Sequence, residues 1–402
     1  MTTQKKILLL GGIYYLKPAI DAAHQLGLYV ITCDNVPNNL AHQWSDEYIN
    51  ASIIDKEQIL SIAREKQIDA ILSYAVDPGV TTAAYVAEQL GLPNVGPYKS
   101  VEILQNKALF RQFLTEHNFN VPKAKGYKSV QEAQKDQYNW DYPIIVKPVD
   151  SAGSKGVTRV NNADELPAAL ELAYQSSLGA KEIIIEEFIE LDGFQSGSDS
   201  FSIDGKMVFT TFDDQHFDKN SPNPYTPADH TWPSTMPNEA QEYLKAEIQR
   251  LITLLGMRTS LYNIEARVGK NGKPYIMELS PRAGGNRLSE ILRMATGQDI
   301  ITACVKAAIG EPVTITEATF NGFWADVILH TPQSGKLLGI ELSDSIRPYV
   351  KEMALYKQIG QQVDGFKAAN EALGSLFLCF DTREKMEQIT NNIETYVNIN
   401  IA

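Results

Sequence analysis

Asn271-Gly272 separates two short runs with strand character, Ser260 to Val268 and Lys273 to Leu279. Asn-Gly is the strongest short-range signal for a two-residue hairpin turn, and a turn of fixed length dictates which residues face each other. In that register Lys270 faces Lys273 and Glu265 faces Glu278. Directly opposed residues have Cβ atoms about 5 Å apart, where two like charges destabilise the pair unless something offsets them. A divalent cation is the simplest such thing. Alternation predicts one apolar face of Ile264, Ala266, Val268, Tyr275, Met277 and Leu279, and one polar face of Asn263, Glu265, Glu278, Ser280 and Arg282. A solvated hairpin with both glutamates in water is the default for an arbitrary sequence. It weakens here because the polar face runs on into Ser280-Pro281-Arg282-Ala283-Gly284-Gly285-Asn286-Arg287. Hard oxygen ligands with an incomplete protein shell suit Mg²⁺, which takes its remaining ligands from water and substrate phosphates.

A phosphate-binding segment is therefore expected elsewhere. The chain has 402 residues, 44% hydrophobic and 21% charged, which points to two or three domains. A formal charge of -13 gives no general pull toward nucleic acid or an anionic membrane, so phosphate binding must come from local clusters. Cys33, Cys304 and Cys379 lie far apart among apolar neighbours and read as buried thiols, not zinc ligands or disulfides. The chain has no apolar run long enough to span a bilayer, and Met1 to Lys6 leads directly into a strand, so a cytoplasmic location is expected.

The amino-terminal region alternates strand and helix: Ile7 to Leu10, Lys17 to Leu26, Tyr29 to Asp34, Lys56 to Lys66, Ala70 to Ser73 and Val80 to Leu90. That order predicts a parallel sheet with helices on it. Gly11-Gly12 forms neither a dinucleotide fingerprint nor a P-loop. One helix is expected from Ser100 to His117, and strands at Ile144 to Pro148, Val157 to Val160 and Glu182 to Glu187. A second hairpin centres on Asp204-Gly205, followed by a long polar loop from Asp213 to Pro237. The helix Glu239 to Leu255 returns to the glutamate hairpin. Beyond Pro312, strands are expected at Gly322 to Leu329 and Ser375 to Phe380, with a terminal helix from Thr382 to Val397.

Lys147-Pro148-Val149-Asp150-Ser151-Ala152-Gly153-Ser154-Lys155-Gly156 follows an apolar strand. Small residues let backbone N–H groups approach an anion, hydroxyls add donors, and Lys147 and Lys155 add charge. An ordinary polar hairpin loop is the plain alternative.

With these motifs in this order, residues 105–310 resemble the ATP-grasp superfamily, and the likeness extends more loosely to nearly the whole chain. The closest look is to carboxylate-amine ligases, with a likeness also to biotin-carboxylase-like and carbamoyl-phosphate-synthase-like members. The resemblance implies an α/β ATP-grasp fold in three units. These are an amino-terminal parallel-sheet domain at 1–104, a nucleotide-binding domain at 105–311 and a small carboxy-terminal domain at 312–402. It implies ATP and Mg²⁺ as cofactors. Lys107 and Lys147 would contact phosphates, and the loop of Ser151, Gly153, Ser154, Lys155 and Gly156 would close over them, Lys155 also serving catalysis. The hinge carries Glu186, Glu187 and Ile189, whose main chain would pair with adenine; Glu265 and Glu278 would hold the metal. Ser280 stands where many members have asparagine and is a weaker metal ligand, and the ribose-holding glutamate is not recognisable.

The implied reaction activates a carboxylate as an acyl phosphate, which an amine then opens. Arg282 is expected to stabilise the transferring phosphoryl group. Arg287 either clamps a substrate carboxylate or caps a turn, and His230 is a substrate contact or base on the long loop; His216 carries less weight. Asp77 lies where it could face the cleft, with helix capping as the plainer role. The partners implied are a small-molecule carboxylate and an amine, with no nucleic acid or membrane, in a fold whose members are often homodimers. Two alternatives remain open: a purine-pathway or carboxylase-like enzyme using formate, bicarbonate or glycine, and a nucleotide-binding module without turnover.

Overall fold

Strands that are apolar at nearly every position cannot face water on either side, and Ile7 to Leu10 and Val30 to Cys33 are accordingly buried throughout, with Thr32 the one polar residue among them. The computed structural model describes residues 4–151, 153–223 and 225–402; Met1 to Thr3, Ala152 of the expected phosphate loop and Pro224 of the long polar stretch lie outside the described residues. β1 (Lys6–Leu10), β2 (Tyr29–Asp34), β3 (Glu47–Asn50) and β4 (Ala70–Leu72) form a parallel sheet in the order β3-β2-β1-β4. The expected α/β class with a parallel amino-terminal sheet is borne out.

A second, antiparallel sheet holds β5 (Ala124–Tyr127), β6 (Ile144–Pro148), β7 (Thr158–Val160) and β8 (Ile183–Glu187) in the order β5-β8-β6-β7. Ile144, Val146, Ile183 and Ile185 fill its core against the helix Leu166–Ser176. Because strand side chains alternate, Lys147 and Glu186 must then project from the other face.

The largest sheet has nine strands. It comprises β9 (Leu191–Ile203), β10 (Lys206–Thr210), β11 (Asp214–Phe217), β12 (Pro227–Trp232), β13 (Ser260–Gly269) and β14 (Pro274–Ser280), continued by β15 (Phe323–Leu329). Later in the chain come β16 (Gly335–Leu342), β17 (Val350–Leu355), β18 (Gln362–Val363), β19 (Gly374–Phe380) and β20 (Val397–Ile401). The large sheet runs β14-β13-β9-β11-β12-β15-β19-β17 with β10 on β9, while β16, β18 and β20 form a small separate sheet. Hydrogen bonding therefore crosses position 311 without a break.

Four expectations are corrected. The helix from Ser100 to His117 is two helices, Tyr98–Gln105 and Lys107–Glu116, because the Asn106 carboxamide accepts the Ala108 and Leu109 N–H groups and starts a new helix. The long loop from Asp213 to Pro237 contains β11 and β12, central strands of the large sheet. The terminal helix ends at Thr390, with a short second helix and β20 following. In the glutamate hairpin, Glu265 faces Glu278 as expected, but a bulge follows: Ala266 pairs with Ile276 and Val268 with Pro274. Ile276, not Met277, therefore joins Ile264, Ala266, Val268 and Leu279 in the core. The turn encloses Gly269 to Lys273, and Lys270 reaches away from Lys273 to Glu190, 2.7 Å distant.

Gly272 has a φ of 75° with no atom within 4 Å of an added Cβ, so only backbone strain opposes substitution there. Gly272→Ala is expected to lower unfolding free energy by about 1 kcal/mol in a denaturant titration while leaving nucleotide binding unchanged.

Candidate active site

Two chain segments distant in sequence meet at the glutamate pair. The Asn106 cap places Lys107 on the first turn of its helix, where Nζ lies 3.1 Å from Glu278 Oε2 and donates to the Ser151 carbonyl at 3.0 Å. Burial and then the neighbouring Glu278 push the Glu265 carboxyl above its ordinary value. Burial alone would depress the Lys107 ammonium, but Glu278, Asp77 and Glu265 outweigh it and hold it above its ordinary value. The pair is thus a concentration of negative charge, with Lys107 bonded to Glu278 and Arg267 the leading cation acting on Glu265.

Asp77 is the residue that the sequence placed least well. It opens the helix Asp77–Leu90, yet no side chain caps that helix; the carboxylate instead grips Arg282 with two bonds, Nε at 2.7 Å and Nη2 at 2.8 Å. Burial raises the Asp77 pKa, but the Arg282 guanidinium outweighs it and holds the group below the ordinary carboxylate range. The amino-terminal sheet therefore delivers an acid directly onto the polar hairpin face. Ser280 Oγ donates to Asp77 at 3.0 Å and accepts from Gln105 at 2.7 Å, so its hydroxyl is already committed to these two neighbours. Asp77, Gln105, Lys107, Ser151 and Glu278 line a cleft of about 310 Å³.

On the facing sheet, Lys147 Nζ is 2.7 Å from Glu186 Oε2, and Arg111 Nε is 2.9 Å from Oε1. Arg111 meets Glu186 as an ion-pair contact without hydrogen-bond alignment, which leaves Nη1 and Nη2 buried and unpartnered. Burial lowers the Lys147 pKa, with Glu186 opposing. Burial would raise Glu186, but Arg111 and Lys147 reverse it and hold the group at about 2. The Glu187 carboxylate accepts from Lys123 N–H and its own N–H donates to Lys123, so β5 occupies that edge of the expected hinge; Ile189 is buried beside it.

The loop after β6 has left-handed backbone at Gly153, Ser154 and Gly156, with φ of 65°, 59° and 73°. A Cβ on Gly156 would come within 2.5 Å of Ser176, so only glycine fits. Ser151 Oγ donates to the Lys155 carbonyl, Ser154 Oγ to the Tyr225 carbonyl at 3.0 Å, and Lys155 itself is exposed.

Arg287 and His230 come together at a second place on the large sheet. Arg287 is buried, pairs with Glu290 at 2.6 Å and with Glu352, and lies over the Phe377 ring at 4.6 Å. His230 is on a central strand, not a loop, with Nδ1 2.6 Å from Asp213 and Nε2 unpartnered. His216 pairs with Asp229 instead. The intervening turn is held by buried Asp199, which accepts from Gly284 N at 2.8 Å and Asn263 Nδ2 at 3.1 Å. Tyr15 from the amino-terminal unit bonds Asn286 at 2.9 Å.

A model of the ATP-grasp domain matches residues 140–290. That stretch is an ATP-grasp domain. The chain is 28% identical over 283 residues to the formate-dependent phosphoribosylglycinamide formyltransferase of Bacteroides thetaiotaomicron, covering 69% of this chain and 70% of that one. Of the carbamoyl phosphate synthase large chain of Thermoanaerobacter sp. it spans 33%, at 25% identity over 85% of this chain. In fold it matches the L-amino acid ligase of Bacillus licheniformis with a TM-score of 0.81, over 100% of both chains at 20% identity. It also matches the biotin carboxylase domain of Hydrogenobacter thermophilus 2-oxoglutarate carboxylase, solved with MgADP and bicarbonate, with a TM-score of 0.75 at 19% identity, over 99% of this chain and 91% of that one. No helix among the described residues is long and apolar enough to cross a membrane.

The donor set fits ATP and Mg²⁺. Among the described residues no group of three His, Cys, Asp or Glu side chains could hold a metal alone. Two carboxylates without a third match an ion that takes its remaining ligands from phosphate and water. The unpartnered Arg111 nitrogens beside Lys147 are buried donors of the kind that an oligophosphate satisfies.

Sequence reasoning missed Arg111, Gln105, Asp199, Asp213 and the Asp77 to Arg282 clamp. Glu186, expected only for its main chain, pairs through its side chain with Arg111 and Lys147, and the weight of that pairing is measurable without turnover. Its depressed carboxyl contributes stability that is complete above about 4.5 and is lost as pH falls toward about 2. Glu186→Gln is expected to cost about 3–5 kcal/mol near neutrality by leaving Arg111 and Lys147 unpaired. In denaturant titrations the gap from the parent should narrow as pH drops through that window.

Proposed function

We propose that this chain is an ATP- and Mg²⁺-dependent, ADP-forming ligase that activates a carboxylate as an acyl phosphate and joins it to an amine. The observation that carries this reading is the opposed Glu265 and Glu278 pair, with Lys107 bonded to Glu278, and Glu278 lining a cleft shared with Asp77 and Ser151. A carboxylate is a poor acyl donor because oxide is a poor leaving group. When bound, the metal nucleotide supplies the phosphoryl group that turns that oxygen into a good one. Phosphoryl transfer asks the protein for positioning and charge neutralisation, not covalent chemistry.

In this reading Glu265 and Glu278 hold the metal, with Ser280 at most an outer contributor because Asp77 and Gln105 already bond it. Lys107, Lys147 and Lys155 balance phosphate charge, the turn of Ser151, Gly153, Ser154 and Gly156 covers it, and the main chain at Ile189 receives adenine, since β5 and β6 already flank Glu186 and Glu187. A guanidinium has five N–H groups. Asp77 and the Ala283 carbonyl take three of those on Arg282, which orients the rest for the oxyanion. Domains at 1–104, 105–311 and 312–402, a cytoplasmic location and a homodimer belong to the same reading.

The 28% likeness to a formate-dependent formyltransferase favours a second reading, in which formate is activated and passed to a phosphoribosyl amine. Phosphate release from ATP and Mg²⁺ with pooled amino acids, against pooled purine intermediates plus formate or bicarbonate, distinguishes the two. Glu278→Ala is expected to lower stimulated release at least 100-fold with little change in melting temperature, since removing one of two repelling acids relieves strain. Parent-like release by Glu278→Ala in every pool would end the ligase reading.

A further inference from the structure

The break at Asn106 does more than start a new helix. In an uninterrupted helix, residues two apart point about 200° away from each other, at 3.6 residues per turn. Asn106 is extended, with φ of -108° and ψ of 109°, so Gln105 before it and Lys107 after it meet the same surface. Lys107 reaches Glu278, and Gln105 reaches Ser280. Glu278 and Ser280 are themselves two apart on β14 and share a face. The break thus lays two side chains of one segment across the end of the glutamate hairpin. Its backbone also ties in the glycine loop, since the Lys107 N–H donates to the Val149 carbonyl at 3.0 Å.

Counting hydrogens fixes the direction of the bonds at Ser280. The hydroxyl has a single hydrogen, and its oxygen lies 3.0 Å from Asp77 Oδ1 and 2.7 Å from the Gln105 carboxamide. Asp77, clamped on Arg282, only accepts, so the hydrogen goes to it. Ser280 then has lone pairs alone to offer Gln105, which must present its Nε2 donor. A carboxamide oxygen in that place would leave the row one hydrogen short. The row therefore runs from Gln105 through Ser280 and Asp77 to Arg282, joining the helix junction, the hairpin end and the start of the helix Asp77–Leu90. Among the described residues the Gln105 side chain makes no other hydrogen bond.

Asp77 needs this third donor. Two parallel bonds fix the Arg282 guanidinium against the carboxylate, but the terminal torsion of an aspartate is broad, so the pair can tilt as a unit. Ser280, fully buried, bonds Oδ1 from the hairpin side and removes that freedom. A neutral donor suits position 105. Gln105 lines the same cleft as Glu278 and Lys107, where a second cation would cancel the charge that the acid pair presents to a metal.

We propose that Gln105 is a positioning residue: it holds Ser280 as a donor to Asp77, and so holds Arg282 in the orientation that the transferring phosphoryl group requires. The inference rests on the ligase reading and deepens the role of Arg282 within it. Gln105 acts through Ser280 and Asp77, and not on the nucleotide or the metal.

The test measures phosphate release from ATP and Mg²⁺ by the full chain, with whichever of the amino-acid and purine pools stimulates it, for Gln105→Met, Ser280→Ala and the double variant. Methionine keeps the length of glutamine without a donor. Each single variant is expected to lower kcat about tenfold, the scale of one hydrogen bond, with KM for ATP unchanged because Lys107 and Glu278 stay in place. The double variant should also fall about tenfold and not about 100-fold, because both changes break one row. Gln105→Ala, which removes the donor without adding bulk, should behave as Gln105→Met does. A glutamine that only packs the helix break would instead lower the melting temperature and leave kcat of the folded enzyme at the parent value. Parent-like kcat in Gln105→Met and Gln105→Ala, a raised KM for ATP in place of a lowered kcat, or additive losses in the double variant overturns the inference and leaves the ligase reading standing. Absence of stimulated release by the parent chain in every pool overturns both.

Discussion

Repulsion between Glu265 and Glu278 is the constraint around which the site is organised. Two carboxylates opposed across an antiparallel pair cost free energy, and the fold does not separate them. It brings Lys107 to one of them from the start of a helix, and bulges the strand at Met277 so that Ile276 fills the core without rotating the acids away. The apolar underside of the hairpin, packed on the helix Asn238–Leu254, fixes the acids in place. Burial of that face is what makes the electrostatic tension persist in the absence of a cation.

A second layer of charge keeps the surrounding cations in position. Asp77 holds Arg282, Glu186 holds Lys147 beside Arg111, and Glu290 and Glu352 hold Arg287. Each acid here holds a cation in a fixed orientation, which is the preorganisation that charge-neutralising sites require. The partners come from the amino-terminal sheet, the small antiparallel sheet and the carboxy-terminal strands, so no single unit could assemble the site.

How much was legible depended on the range of the interaction. The Asn271-Gly272 signal gave the pairing of Glu265 with Glu278, although the bulge at Met277 and the wider turn escaped it because period-two alternation cannot register an inserted residue. Lys107 and Lys147 were found from motif order, and Asn106 could have been, since asparagine before a new apolar helical run is a cap signal. Asp77 was weighed toward capping because a local rule offered a local partner; its true partner is 205 positions away. His230 was assigned to a loop because prolines and polar residues masked the short strands on either side of it.

Residue type, burial pattern and nearest-neighbour turns were determined by the sequence, and with them the α/β class, the acid pair and the glycine loop. Which strands lie side by side was decided only in three dimensions. The row from Gln195 through His230 and Asp326 to Glu352 joins strands of which only β11 and β12 are consecutive in the chain. Side-chain alternation says which face a residue takes but carries no information on strand order. A glutamine at a helix end becomes meaningful only when the fold places Ser280, 175 positions away, beside it.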